Sequence, residues 1–504
     1  MNAVFLFGPV FKALGVATAL ALHERESDTK VHSVVAGSHG LGDDLRLNLG
    51  AVAGKFLELH KHERSWLRQP VEYRNIEEFE RRFPRGTLGR LIVADRRIGV
   101  GFVRGGRPRP DAIASEVKRN GSSTPSQYVI HLISTLDRFF DGARPDLVFA
   151  YAVAGAPALA MYLLSRERGI PFATLKPARI LDRYLVDTDI SPELRRIDAL
   201  WSDPASEPPS ATSVQGAKRF LTDFRNRPSK SLAQQQTEAA IDRSYSMRSL
   251  ATQAARATLR GFGNLGSNNT PRKLPVQAQR AVEQLHVRIR RKAAAHHASA
   301  LHNEGDLTQP FWYYPLHVDP EASTMVLAPE FVNQLYVIEQ LAKSLNPSET
   351  LVVKEHIPML GRRPDGFYET IRMLPNTTLA NPAMSSHALI RKARAVVTIS
   401  GTAAFEAMLL GRVPVLIKGS TLSFLDCGFV EAHDLSQLHE SLSLALEMKP
   451  ISQQELLTVL AHILDETIKI PRAMLWTVNS KYSESEIHAV GRQIADELVS
   501  VCAQ

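Results

Sequence analysis

A short run of small and hydroxyl-bearing residues, Ser400-Gly401-Thr402, separates an apolar stretch from an amphipathic segment that contains Glu406. The apolar stretch 396–399 predicts a buried strand, and the following segment predicts a helix that begins in this turn. The N–H groups of a first helical turn are unpaired within the helix and attract anions such as phosphate. Glu406, one turn further, could accept hydrogen bonds from sugar hydroxyls. The pattern is typical of a nucleotide-sugar site, and its structural alternative is a simple helix cap.

Polar residues also follow two other predicted strands, at 311–316 and 350–354. They are His317 after the first of these strands, and Lys354 and His356 at the end of the second. Because the carboxyl ends of parallel strands meet at one edge of a sheet, we expect these side chains to line the same site as Ser400. Lys354 and His356 would supply positive charge to a leaving phosphate. The alternative is a solvated strand end and an ordinary loop histidine.

Two carboxylates are candidate catalytic groups. Asp95 follows an apolar run at 91–94 that we interpret as a strand, and Glu321 follows Pro320 in the loop after 311–316. Either could deprotonate an acceptor hydroxyl in an inverting transfer or act as a nucleophile in a retaining one. Asp95 could instead pair with Arg96 or Arg97, and Glu321 could be a solvated carboxylate at the rim.

The acidic triplet Asp187-Thr188-Asp189 has the form of the Asp-x-Asp motif that holds a metal ion and a diphosphate in some sugar-transferring enzymes. It precedes a predicted helix start at 191–193, where acidic residues favour the helix dipole. We interpret it as a helix cap, and the sequence predicts no metal site and no cofactor beyond a nucleotide-sugar substrate.

Strand-like runs alternate with helical segments in both halves of the chain, which predicts α/β architecture with parallel sheets covered on both faces. We expect two Rossmann-like domains facing a cleft, joined by a basic helical connector. The predicted boundaries are 1–204 for the N-terminal acceptor domain, 205–307 for the connector, 308–480 for the nucleotide-sugar domain, and 481–504 for a C-terminal helix.

The net charge of +8 comes from one segment, because residues 211–300 contain 16 Lys or Arg and four acidic residues. Such a segment could be a solvated helical face, or it could be attracted to an anionic membrane surface. Nucleic-acid binding is disfavoured, since aromatic residues are few there and the segment contains no recognition motif.

Two cysteines without metal-type spacing, Cys427 and Cys502, are typical of a reducing compartment. The apolar N-terminus is interrupted by Lys12 and preceded by no basic region, which favours a strand and a helix over a signal peptide. We therefore expect a cytoplasmic protein, with peripheral association at the inner membrane as a hypothesis.

The region 312–424 resembles the C-terminal domain of GT-B glycosyltransferases of bacterial capsule polysaccharide biosynthesis, including Kdo transferases. A weaker resemblance to their acceptor-side domain involves Asp95-Arg96, Gly105-Gly106, Pro145-Asp146 and 179–183. The C-terminal resemblance rests on these stretches: Pro315-Leu316-His317 with Pro320-Glu321, Val353-Lys354-Glu355-His356, Gly361-Arg362-Arg363, Leu374-Pro375-Asn376 and 399–406.

The resemblance implies metal-free transfer of a sugar from a CMP- or UDP-linked donor to a growing surface glycan or a lipid-linked glycan. It assigns the donor phosphate to His356, Ser400 and Thr402, and the ribose to Glu406. One departure is Ile357, which separates His356 from Pro358 where related enzymes often have His-Pro. Two alternatives are a UDP-sugar 2-epimerase and a non-catalytic scaffold of the same fold in polysaccharide assembly or export.

Overall fold

The structure is a computed structural model that describes residues 1–37, 40–99, 106, 111–121, 124–203, 205–226, 273–301, 304–432, 434–476 and 482–503. The described part forms two compact units, each built around its own sheet. The first unit comprises Met1–Ile98, Asn120–Ala217 and Leu457–Gln504, and the second comprises Gly99–Arg119 and Lys218–Leu456. None of the described helices is both long and apolar enough to cross a bilayer.

The first unit contains a seven-stranded sheet with the order β13-β6-β5-β4-β1-β2-β3. Five strands are parallel, whereas β6 runs antiparallel to β5, and β13 runs antiparallel to β6. The strands are β1 (Asn2–Phe7), β2 (Lys30–Val35), β3 (Ala53–Glu58), β4 (Leu147–Ala150), β5 (Phe172–Pro177), β6 (Arg183–Asp187) and β13 (Ile468–Lys469).

Helices connect these strands and cover the first sheet. Up to the connector they are α1 (Lys12–Arg25), α2 (Leu41–Leu49), α3 (Glu63–Trp66), α4 (Tyr73–Arg82), α5 (Thr87–Ala94), α7 (Thr124–Ala143), α8 (Ala156–Glu167) and α9 (Arg195–Ser202). Near the C-terminus, α19 (Arg472–Trp476) and α20 (Glu484–Ala503) return to the same sheet, and α20 packs along α1. Gly491 permits this close approach, since a Cβ atom there would lie 2.8 Å from the carbonyl carbon of Ala17.

The second unit contains a six-stranded sheet that is parallel throughout, with the order β12-β11-β10-β7-β8-β9. Its strands are β7 (Phe311–Pro315), β8 (Thr350–Lys354), β9 (Thr377–Ala380), β10 (Ala395–Thr398), β11 (Pro414–Leu416) and β12 (Val430–Glu431). Counted from β7, this order is that of a classic dinucleotide-binding fold, whose ligands bind where the strand order reverses, here between β7 and β10.

Nine α-helices that precede residue 450 are described within the second unit or across its boundary with the first. They are α6 (Ala112–Asn120), α10 (Ala211–Arg225), α11 (Lys273–His297), α12 (Ala322–Met325), α13 (Gln334–Ser344), α14 (Phe367–Arg372), α15 (Ser386–Lys392), α16 (Thr402–Leu409) and α17 (Leu438–Glu447). A further helix, α18 (Gln453–Glu466), continues from the second unit into the first, as does α10 in the opposite direction.

Alternate residues of β7 pack on opposite faces of the second sheet, as the period of a strand requires. Phe311 and Tyr313 contribute to the core beneath α15 and α16, whereas Trp312 and Tyr314 join the larger core on the other face. All four side chains are buried. This two-sided burial explains why the run Phe-Trp-Tyr-Tyr is apolar without alternation.

The prediction of two α/β units is confirmed, although the first sheet is mixed because β6 runs antiparallel to β5. The two compact units differ from the predicted domains in two places. Residues 457–504, assigned to the second domain and a separate helix, complete the first unit because β13 pairs with β6 and α20 packs on α1. Residues 99–119, assigned to the first domain, belong to the second unit. Of the predicted connector 205–307, residues 227–272 lie outside the described part.

Candidate functional site

The turn between β10 and α16 lies at the strand-order reversal of the second sheet. Its Gly401 is the N-cap residue of α16 and has no side chain to accept hydrogen bonds from the first helical turn. The site also has no room for one, because a Cβ atom at Gly401 would lie 2.9 Å from Thr398 Oγ1 and 3.0 Å from His317 Cε1. Gly401 therefore adds no side-chain cap to the start of α16, and a helix N-terminus of this kind attracts anions.

The structure brings His317 to this turn from the loop after β7. Its Nε2 lies 3.3 Å from Thr398 Oγ1, and Thr398 Oγ1 in turn accepts the N–H of Gly401. Burial, together with the positive charges of Arg363 and His356, lowers the pKa of His317 to about 4. His317 is thus neutral at pH 7 and presents a polar ring without a charge beside the helix N-terminus.

Ser400 and Thr402, the two predicted phosphate ligands, have different environments. Ser400 is buried and donates its hydroxyl hydrogen to the carbonyl of Ser323, which ties the turn to the loop after β7. Thr402 is exposed at the first position of α16. The structure therefore leaves Thr402 oriented to solvent and gives Ser400 a role in fixing the turn.

Lys354 and Glu406 share one neighbourhood on the face of the sheet that α15 and α16 cover. Lys354 is buried and its Nζ lies 3.3 Å from Ser386 Oγ, at the start of α15. Tyr313 donates to the same hydroxyl at 3.5 Å. Burial raises the pKa of Tyr313, and the charge of Glu406 adds to this effect, so Glu406 lies within electrostatic reach of the same group. Tyr313 was missed as a site residue because its apolar neighbours identify it only as core.

His356 is exposed immediately after the end of β8. The surrounding protein and the nearby Lys354 ammonium lower the pKa of its imidazole. His356 also contributes to the low pKa of His317, which places the two imidazoles in the same electrostatic environment. Both predicted histidines are therefore mainly neutral at pH 7, and Lys354 is a positive charge beside His356.

A buried ion network, which sequence reasoning missed, holds the loops after β7 and β8 together. Arg363 donates to Asp319 at 2.8 Å, to both carboxylate oxygens of Glu355 at 2.7 and 3.0 Å, and to the carbonyl of His317 at 2.7 Å. Tyr368 adds a bond of 2.9 Å to Glu355. Because Asp319 and Glu355 are each close neighbours in sequence of His317 or His356, the network fixes the backbone that carries both histidines.

Further bonds complete the network around Asp319. Gln334 donates to the Asp319 carboxylate and accepts the backbone N–H of His317 at 2.7 Å, and Thr324 donates to Asp319 at 3.0 Å. Burial raises the pKa of Asp319, whereas Arg363 and these donors oppose that effect. A Cβ atom at Gly106 would lie 2.3 Å from the Asp319 carbonyl oxygen, so Gly106 closes against the same loop. Gly105, grouped with Gly106 in the acceptor-side resemblance, lies outside the described residues.

The two candidate catalytic carboxylates differ in what surrounds them. Glu321 is exposed at the start of α12, and Ser323 Oγ lies 3.4 Å from one of its oxygens. Asp95 follows helix α5 rather than a strand, so the strand prediction for 91–94 is wrong. An apolar run of four residues cannot distinguish a strand from a buried helix segment.

Asp95 pairs with Arg97, which is the structural alternative to a catalytic role that the sequence left open. Arg97 binds its carboxylate through three hydrogen bonds of 2.8 to 3.1 Å and also donates to Glu63 and Tyr128. Burial raises the pKa of Asp95, but Arg97 outweighs this and holds the pKa below its ordinary value. Such a carboxylate is a poor proton acceptor, and Glu321 becomes the stronger candidate base.

The two carboxylates of the triplet 187–189 form ion pairs with Lys176. Lys176 lies 3.0 Å from Asp187 and 2.5 Å from Asp189, and Asp189 also accepts the N–H of Ser191 at 3.0 Å. The carboxylates therefore stabilise the turn after β6, although α9 begins later than predicted, at Arg195. Among the described residues, no group of three or more His, Cys, Asp or Glu has the arrangement of a metal site.

No protein-family model matches the chain. A stretch of 146 residues is 30% identical to Protein FixF of Sinorhizobium fredii, which corresponds to 28% of this chain and 34% of FixF. The chain thus matches about a third of the length of this relative.

Solved structures to which the chain shows similarity include beta Kdo 2,4 transferase KpsC of Thermosulfurimonas dismutans, at 13% identity over 63% of this chain and 79% of that chain, with a TM-score of 0.34. UDP-GlcNAc 2-epimerase of Neisseria meningitidis bound to UDP-GlcNAc is 13% identical over 99% and 100%, with a TM-score of 0.23. HepE of Anabaena in complex with UDP-glucose is 12% identical over 99% and 100%, with a TM-score of 0.25. The strand orders of the two sheets, rather than these scores, define the fold.

Proposed function

We propose that the protein is a glycosyltransferase of the GT-B type that moves a sugar from a CMP- or UDP-linked donor to a surface glycan or a lipid-linked glycan. The observation that supports this most is the turn at Gly401, where an open helix N-terminus meets the neutral His317 at the strand-order reversal. An anion is favoured there by the N–H groups and the helix dipole.

In the proposed complex, the donor phosphate lies against the first turn of α16, with Thr402 and His356 beside it. The carboxylate of Glu406 accepts hydrogen bonds from the ribose hydroxyls, one helical turn from the phosphate. Lys354 offsets the negative charge that develops on the phosphate as it leaves. In this arrangement Ser400 and His317 hold the turn in place, through the carbonyl of Ser323 and through Thr398 respectively.

Transfer requires that the bond between the anomeric carbon and the phosphate oxygen breaks while the acceptor oxygen bonds to that carbon. The nucleotide leaves with the bonding electrons, and the acceptor hydroxyl releases a proton to a base. We assign the base to Glu321, because Asp95 is held by Arg97. The reaction therefore needs a nucleotide sugar and an acceptor alcohol.

A thermal-shift screen of CMP, UDP, GDP and their sugars tests the donor site, since a ligand that binds only the folded state raises the midpoint. With the nucleotide that does so, Glu406→Ala should weaken binding about ten- to a hundred-fold, because it removes hydrogen bonds to a charged group. Glu447→Ala, an exposed glutamate of α17, should leave binding unchanged.

Product analysis then separates transfer from its two alternatives. Incubation with the donor alone should yield no epimer, and addition of a glycan acceptor should yield a longer glycan and free nucleotide. Epimer formation without an acceptor would identify an epimerase instead. The absence of binding to every nucleotide sugar would favour a scaffold and contradict the proposal.

A further inference from the structure

Helix α11 has a stripe of exposed apolar residues. Val282, Leu285 and Ile289 are 52%, 41% and 65% exposed, and their spacing of three and four residues places them on one face. Single exposed apolar residues are ordinary, but three on one helix face form a patch. In the described part of the chain this stripe is exposed to solvent. Exposed apolar patches of this kind often mark binding surfaces.

The opposite face of α11 is already packed against the second unit. Val287 is buried, Ala294 packs against the main core of that unit, and Ala298, directly after the helix, belongs to that core. Gly361, with a φ of +79°, lets the helix approach closely, because a Cβ atom there would lie 2.5 Å from the Val287 carbonyl oxygen. α11 therefore has two apolar faces. One packs against the second unit, and the stripe lies on the other, exposed face.

Basic residues flank the stripe on both sides. Arg288 and Arg290 directly precede and follow Ile289, so helical geometry places them about 100° to either side of it. Arg290 remains partly exposed although it pairs with Asp365 at 3.1 Å. Over its length, α11 contains six Lys or Arg and the single acidic residue Glu283. A helix with an apolar stripe between basic flanks is suited to lie in the interface of an anionic membrane.

Other occupants of the stripe fit these charges less well. The preceding segment 227–272 contains seven Lys or Arg and two acidic residues, so its charge is not complementary to that of α11. A second copy of the same basic helix would be repelled for the same reason. A nucleic acid would satisfy the arginines but would gain nothing from three exposed aliphatic side chains between them.

We propose that α11 docks the second unit on a membrane surface of anionic lipid, with Val282, Leu285 and Ile289 entering the headgroup–acyl boundary and the flanking arginines contacting lipid phosphates. The proposal concerns the whole α11 surface and does not depend on the proposed glycosyl transfer. It narrows the membrane hypothesis for 211–300 to one helix face.

Vesicle flotation of the full chain tests the proposal. The protein should float with vesicles of phosphatidylcholine mixed with phosphatidylglycerol, and raising the salt concentration should weaken the association. The variant Val282→Ser/Leu285→Ser/Ile289→Ser should reduce the vesicle-bound fraction about tenfold or more, since it removes the buried apolar area. Equal flotation with phosphatidylcholine alone would overturn the proposal.

A matched control removes three exposed apolar residues from other helices and turns of the same unit. Met373, Leu444 and Leu446 are 83%, 49% and 42% exposed, and their replacement by Ser should leave flotation unchanged. Both triple variants should keep the wild-type thermal midpoint. A midpoint lowered only in the α11 variant would mean that the chain itself covers the stripe, and a dimer lost only in that variant would mean that a second copy does; either result contradicts membrane docking.

Discussion

The two sheets of this protein share one order over six strands, but their side chains differ at the point where that order reverses. In the second sheet, the turn after β10 is open, and His317, Thr398 and Gly401 surround a helix N-terminus. In the first sheet, the reversal lies between β1 and β4, and Phe11 fills it. Phe11 stacks on Tyr151 with ring centroids 5.0 Å apart, and its N–H donates to the carbonyl of Leu475.

The helices that follow the equivalent strands differ in the same way. Gly155 is the N-cap of α8 as Gly401 is of α16, but Pro157 removes one N–H from the first turn of α8. Counted from the N-cap, the position of Glu406 is taken in α8 by the fully buried Ala160. The two sheets thus have a helix N-terminus at equivalent positions. The side chains around α16 suit an anion, whereas those around α8 are part of the apolar core.

The largest expected effect is a loss of stability when one buried side chain near the strand-order reversal of each sheet is replaced. Arg363→Met leaves Asp319 and Glu355 buried without their partner, which should lower the free energy of unfolding by about 3–5 kcal/mol. Phe11→Ala opens a cavity in the first sheet and should cost a similar amount. Denaturant unfolding measures both losses.

Nucleotide affinity distinguishes these two variants. At a temperature where both are folded, Arg363→Met should bind the nucleotide at least tenfold more weakly, because the loops that carry His317 and His356 lose their brace. Phe11→Ala should bind as the wild type does. Equal affinity in both would remove Arg363 from the positioning of the site.

An effect of intermediate size is expected in the free energy of unfolding at acidic pH. His317 has a pKa of about 4 in the folded protein and about 6.5 when unfolded. Between these values the unfolded chain binds the proton more readily, so the free energy of unfolding should fall by about 3 kcal/mol as the pH decreases from 6.5 to 4. His317→Gln should remove this part of the slope in urea unfolding measured at a series of pH values. Parallel curves for the two proteins would show that His317 does not titrate as described.

The smallest effect is expected from one methyl group. Gly401→Ala places a Cβ atom against Thr398 and His317 and should weaken nucleotide binding about ten- to a hundred-fold, a loss of about 1.4–2.7 kcal/mol. Gly155→Ala is the matched control, since Gly155 has an extended backbone and a new Cβ atom there would lie 3.8 Å from Pro157 Cδ, an ordinary contact distance. Calorimetric titration of both variants measures the difference, and equal binding would show that the turn at Gly401 tolerates a side chain.

Local patterns were sufficient to predict the parts of the site that depend on neighbouring residues. The strands β7, β8, β9 and β10 are apolar or β-branched runs bounded by turns, and each is followed by the polar residues that line the edge. The turn at Gly401 is one continuous stretch of sequence, so its geometry follows from strand and helix signals alone.

The remaining features depend on contacts between distant residues. Arg363 joins Asp319 across 44 positions, and the spacing of the two residues gives no sign of the ion pair. The run 91–94 is helical because its tertiary surroundings decide between two conformations that its composition permits equally. The pairing of β13 with β6 likewise joins segments far apart in the chain, and two residues are too short a strand to give a periodic signal.

That late pairing has a consequence for synthesis of the protein. The first unit cannot be completed until α20, at the end of the chain, reaches α1 near its beginning. On the ribosome, all segments of the second unit emerge before residues 457–504 do. During translation, the apolar face of α1 therefore stays uncovered until residues 457–504 have been made, whereas the second unit can fold before then. We expect chaperone binding to nascent chains to be greatest at that stage.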